Sequence, residues 1–239
     1  MKSWAILLAL ALAGCATGRV HTTQAVSTGP LPPPTEVAVF DFAITPDQVK
    51  LERGVGAALM QSGSAQSPAE RQSQVAQATQ AALAETLTTK LQTYGLRAVR
   101  ELPGSVPLPG TLEVRGRILS VDQGNGTRRT VVGLGAGRSS IAADAQLLYV
   151  TNPAQPQFLQ AFKGTADSGR MPGAAETMGA GAAAQHLATS AAMTAGTHAM
   201  NESRRTSDEA NADKLATALA RQIAAYAAQQ GWISASAMQ

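Results

Sequence analysis

The side chain best placed to form a covalent bond is the thiol of Cys15, the one cysteine in 239 residues, which closes the sequence Leu12-Ala13-Gly14-Cys15. Leucine three positions before the thiol, with small Ala and Gly between, lets an extended backbone enter the narrow cleft of a lipoprotein signal peptidase. The thiolate is the nucleophile that would take the lipid. Lys2, the apolar run from Trp4 to Ala13 and the small residues before the cut are the three parts of a secretory signal. That run is about 10 residues, and a bilayer-spanning helix needs about 20, so residues 1–14 read as a signal peptide that is removed. A lone cysteine cannot close an internal disulfide, which suits a residue kept for acylation. Ala16 follows it, and Asp does not, a pattern that resembles lipoproteins sent on to the outer membrane. Several acyl chains such as palmitate would make that anchor stable, where a single chain is marginal.

The remaining candidates for chemistry are weaker. Gly133-Leu134-Gly135-Ala136-Gly137 follows Val131-Val132, and glycines after a strand let backbone amides approach a pyrophosphate. The fingerprint then needs Gly or Ala at position 138, where Arg138 stands, and a helix next, where the sequence reads as strand. A phosphate-binding loop fails as well, with Arg138 in place of its lysine and Val132 in place of its first glycine. No cofactor is expected. No Gly-x-Ser-x-Gly elbow occurs, and His186 and His198 lie 12 residues apart without cysteine or acidic ligands at metal-binding spacing. His21 falls near the N-terminus, apart from both. Neither a metal site nor a catalytic triad follows, and no enzyme activity is expected. Asp41, Asp122 and Asp144 each stand in or beside a strand and read as solvated strand or turn acids, not as a hydrolytic pair. Arg128 and Arg129, with Val132 and Leu134 close by, make the glycine-rich stretch a candidate interaction element that presents basic and apolar groups to a partner or to lipid headgroups.

These residues need a scaffold. The formal charge of +3 drops to about +2 when Lys2 leaves with the signal, and no basic block remains, so nucleic acid is not an expected partner. Residues 15–35, with Pro30 and Pro32-Pro33-Pro34, read as an extended tether behind the lipidated cysteine. Val37 to Phe42 is dense in β-branched and aromatic residues and predicts a first strand. Residues 45–66 read as a loop. Ser67-Pro68-Ala69-Glu70 is a capping box with proline at the first helical position, and Val75, Ala82, Leu83, Leu87, Leu91 and Tyr94 recur at helical spacing before Gly95. A helix over 68–94 is predicted, then a short strand over 96–99, which makes a β-α-β unit. Strands over 112–121, 139–150 and 157–165 suggest an antiparallel meander. The Ala- and Gly-rich stretch 174–200 predicts a broken helix. Thr206-Ser207-Asp208-Glu209 reads as a second capping box that opens a helix over 208–230. The whole is an α+β fold with a mixed sheet, an initial β-α-β unit, a meander and a C-terminal amphipathic helix, set in one domain over 36–233 with a tail over 234–239.

Ile118 to Ser139 resembles the core motif of the DUF4410 family of bacterial lipoproteins. In that family a strand ends in a G-N-x-x-x-R turn, passes V-G-x-G-A-G and enters the next strand. Gly124-Asn125 with Arg128 or Arg129, and Val132 to Gly137, match it. The resemblance extends from Glu36 to the region of Trp232 and implies localisation and fold, with no catalytic residues. The reading is a membrane-anchored envelope lipoprotein facing the periplasm, a non-enzymatic interaction or assembly module whose partner is another envelope protein or itself. The alternative is a periplasmic ligand-binding or hydrolytic protein with a site beside the glycine-rich loop. Replacement Cys15→Ser is expected to abolish acylation, because serine cannot supply the thioether. Radiolabelled palmitate on the mutant at the wild-type level would contradict this.

Overall fold

A computed structural model describes residues 18–131, 136–169 and 196–238. It is organised around one seven-stranded mixed sheet. Chain order runs β1 (Arg19–Ala25), β2 (Glu36–Phe40), β3 (Val49–Lys50), α1 (Val55–Ser62), α2 (Pro68–Thr93), β4 (Ala98–Glu101), β5 (Thr111–Asp122), α3 (Gly126–Val131), β6 (Ser140–Tyr149), β7 (Gln157–Asp167) and α4 (Gly196–Gln229). In space the strands lie β1-β7-β6-β5-β2-β4, with β3 beside the far end of β5. The β2-α2-β4 unit pairs its strands in parallel, and β5-β6-β7 form the expected antiparallel meander. The α+β class is the one the sequence predicts.

The period-two pattern of β6 decides which face of the sheet is covered. Ile141, Ala143, Ala145, Leu147 and Tyr149 are buried, and their neighbours point to the other face. On the covered side α2 contributes Leu83, Leu87 and Leu91, while α4 contributes Leu215, Leu219 and Ile223. The opposite face carries ion pairs: Arg115 to Glu113 at 2.6 Å and Arg117 to Asp144 at 3.4 Å. Arg115 also stacks 4.2 Å above the Phe40 ring.

The start of α2 is built as predicted. The Ser67 hydroxyl accepts from the Glu70 amide, and the Ser67 amide donates back to the Glu70 carboxylate at 2.7 Å. Those bonds, the backbone one first, hold the Glu70 carboxyl below its ordinary range.

Several expectations are corrected. Residues 15–35 are not tether throughout: Arg19–Ala25 is a strand, paired antiparallel with β7. Residues 45–66 contain a short 3-10 turn at Pro46–Gln48, the two residues of β3, and helix α1. The second capping box does not open a helix, since α4 begins at Gly196 and Thr206 lies inside it. Most of the predicted broken helix over 174–200 lies outside the described residues. Among the described residues no helix is long and apolar enough to cross a membrane.

Leu87 is fully buried between α2 and the sheet. An unpaired carboxylate there costs several kcal/mol, comparable with a domain stability of about 5–15 kcal/mol. Leu87→Asp should therefore abolish cooperative unfolding; a melting temperature equal to wild type would show that this face is not core.

Candidate functional site

The described parts of the glycine-rich connection between β5 and β6, residues 123–131 and 136–139, meet where its two ends cross, and Gly124 makes that crossing possible. Gly124 has φ +75°, a region that side chains rarely adopt. A Cβ there would also overlap the carbonyls of Gly137 and Arg138, because the two ends of the connection cross at this point. The Asn125 amide donates to the Gly137 carbonyl at 3.0 Å, and the Asn125 side chain accepts from the Arg128 amide at 3.0 Å, capping α3. The Gly-Asn pair of the family motif thus has a backbone role: the glycine permits the crossing, and the asparagine starts the helix.

Helix α3 within this connection was not foreseen. Its first amide, Gly126, donates to the Glu52 carboxylate at 2.8 Å. A carboxylate of the chain itself therefore takes the place at which a phosphate would meet the helix start, which is a physical reason against a nucleotide cradle.

Behind the connection a buried polar group fastens it to α4. Gln123 donates to Asp208 at 2.7 Å and accepts from the Glu52 amide at 3.2 Å. Ser139 accepts from Asn211 at 2.9 Å and shares a 2.7 Å bond with the Ser207 hydroxyl. Lys214 donates to the Asp167 carbonyl at 3.1 Å. These bonds join the loop before α1, the ends of three strands, and α4 into one unit.

In front of the connection, on the uncovered side of the sheet, lies a cleft of about 390 Å³. It is lined by Asp122, Ser140 and Asp167 from the adjacent ends of β5, β6 and β7, together with Asn125, Arg53, Arg128 and Arg138. Asp122 accepts from the Gly124 amide at 2.8 Å. Asp167 accepts from the Gly169 amide at 2.8 Å and faces Arg138 at 3.5 Å. Arg53 and Arg128 are exposed and have no ion-pair partner among the described residues. The cleft therefore offers cations for an anionic group, while its acids are already engaged by the scaffold.

The residues singled out in the sequence are distributed unevenly. Arg128 lines the cleft; Arg129 is in α3, where only its backbone is described; Val132 and Leu134 lie outside the described residues, as does Cys15. Asp41 pairs with Arg100 at 2.6 Å, and that hydrogen bond holds the guanidinium above its already high value. Asp144 pairs with Arg117. Asp122 is a turn acid, accepting from the Gly124 amide. His21 is exposed on β1, and no group of three or more potential metal ligands occurs among the described residues. Arg53, Arg138 and Asp167 were missed, because three separate segments bring them together and no local spacing announces them.

The match to known proteins starts at β2 and runs beyond β7: the family model DUF4410, a domain of unknown function, matches residues 37–185. The chain belongs to the DUF4410 family. The matched residues hold the connection and every residue that lines the cleft, while β1 and the α4 contacts lie outside the match. No curated protein matches the chain. Among solved structures it is similar to PelC dodecamers from Paraburkholderia phytofirmans. One is 16% identical over 63% of this chain and 79% of that one, with a TM-score of 0.31. Another is 13% identical over 63% and 82%, with a TM-score of 0.31.

Gly124→Ala should destabilise the domain by about 1–3 kcal/mol, from strained φ and the blocked crossing. Gly63→Ala, which meets open space, should leave stability unchanged. Equal urea midpoints for the two variants would refute the role given to Gly124.

Proposed function

We propose that this DUF4410 protein is an envelope lipoprotein, anchored through Cys15 to the outer membrane and facing the periplasm, whose domain works by binding another protein or itself, without catalysis. The observation that supports this most directly is the loop between β4 and β5, Leu102-Pro103-Gly104-Ser105-Val106-Pro107-Leu108-Pro109-Gly110. Leu102, Val106 and Leu108 are 70%, 74% and 73% exposed. Three prolines restrict the loop, so the apolar groups are held out with little entropy left to lose when a partner covers them. Exposed apolar groups gathered in this way mark an interaction surface. The acids that hydrolysis would require, Asp41, Asp122 and Asp144, each already serve an ion pair or a turn.

A second reading has its own support. The cleft beside the glycine-rich connection, with Arg53, Arg128 and Arg138, suits a ligand that carries a carboxylate or phosphate.

The test is co-purification from detergent-solubilised envelope after cross-linking in cells. The wild-type protein should carry a stoichiometric partner or a second copy of itself, and Val106→Asp with Leu108→Asp should lose it while the circular dichroism spectrum stays unchanged. A protein recovered alone and monomeric at every concentration would overturn the reading.

A further inference from the structure

The strand that follows the lipobox determines which end of the domain can lie near the membrane. Arg19 of β1 sits opposite Thr165 of β7, and the two strands are antiparallel. The chain before Arg19 therefore leaves the sheet toward Asp167, the end at which β5 finishes, β6 starts and the arginine cleft opens. Gly18 is fixed at that end, pressed so closely on the α4 backbone at Lys214 that a Cβ would collide with it. Only three residue steps separate Gly18 from Cys15, a span of at most about 11 Å. A lipid on Cys15 would hold this end, and no other, within reach of the headgroups.

Two independent features of the same end suit a lipid surface. The first is charge: Arg53 and Arg128 project without ion-pair partners among the described residues, and exposed Lys50 lies beside Asp122. The second is helix α1, Val-Gly-Ala-Ala-Leu-Met-Gln-Ser, which contains no charged residue and begins two positions after Arg53. Its neighbour is α3: a Cβ on Gly54 would meet the Thr127 hydroxyl and the Asn125 side chain. Ala57 is buried inward, while Val55 and Leu59, one turn apart, are 69% and 71% exposed together with Ala58. An apolar helical face turned to solvent and flanked by arginine is the pattern of an element that rests at the headgroup boundary.

We propose that the sheet end carrying α1 and the Arg53–Arg128–Arg138 cleft is a membrane-docking face, with Val55 and Leu59 at the acyl boundary and the arginines on the phosphates of anionic phospholipids. This rests on the reading that Cys15 is acylated. Anchor and docking face then act together: the lipid supplies local concentration, and α1 with the arginines sets orientation. The loop of Leu102, Val106 and Leu108, beside the far edge strand β4, is left free for a protein partner.

The experiment uses the lipidated full chain reconstituted into vesicles of phosphatidylethanolamine and phosphatidylglycerol. With Cys15 blocked by lipid, an introduced cysteine is the only reactive thiol, so Ala58→Cys on α1 and Ala154→Cys in the hairpin at the opposite end can each carry an environment-sensitive fluorophore. Spin-labelled lipids with shallow probes should quench position 58 several-fold more than position 154. Arg53→Glu with Arg128→Glu should reduce that quenching in anionic vesicles and leave it unchanged in purely zwitterionic ones. Equal quenching at both positions, or a position 58 shielded from lipid by protein, would overturn the docking face even if the protein floats with the vesicles and its N-terminal peptide has the acylated mass. An unmodified Cys15 would instead remove the anchoring reading, and the orientation with it.

Discussion

Helix α4 lies on α2 and across the sheet through Ala212, Leu215, Ala216, Leu219, Ala220, Ile223 and Ala227, all buried, and the rest of the domain depends on that coverage. With only 4% aromatic residues the core has few large side chains to fill space, so the helices must approach closely. Alanines at 212, 216 and 220 place a small side chain at every turn and permit that approach. Larger groups fill the far end, where Tyr149, Tyr226 and Trp232 meet at ring-centroid distances of 6.1 and 5.6 Å. The Trp232 indole donates to the Leu31 carbonyl there at 3.0 Å, tying down the segment that joins β1 to β2.

The near end is closed differently. Gln123, Ser139, Ser207, Asp208 and Asn211 meet where an apolar contact would also have filled the space. Buried polar bonds contribute little net stability, but each penalises a misplaced partner by leaving a group unsatisfied. The arrangement fixes the register of α4 against β5 and β6. The cleft in front lies at the same strand ends, on the other side of this polar group.

Local signals show where the sequence was legible. The alternation of β6 and the capping box of α2 could be read because each has one buried face or one complete set of local bonds. β1 could not: its residues are exposed on both faces apart from Val20, and it exists through backbone bonds to β7 that leave no hydrophobic pattern. Helix α1 escaped because its outward residues are apolar, the reverse of the usual periodicity. The second capping box misled because Thr206 and Glu209 lie inside a helix that already starts at Gly196, and a local four-residue pattern does not show that helical residues precede it. The cleft was legible only at Arg128 and Asp122, since Arg53, Arg138 and Asp167 are neighbours only after the sheet has formed.

The addition of β1 to the sheet also has a mechanical meaning. Without it, β7 would be an edge with a row of unpaired backbone groups open to other chains. With it, a pull along the strand axis on the chain ahead of Arg19 loads the β1–β7 bonds in shear, so that the ladder from Arg19 to Ala25 yields together and not one bond at a time. Against a force in that direction the edge strand serves as both cover and fastening.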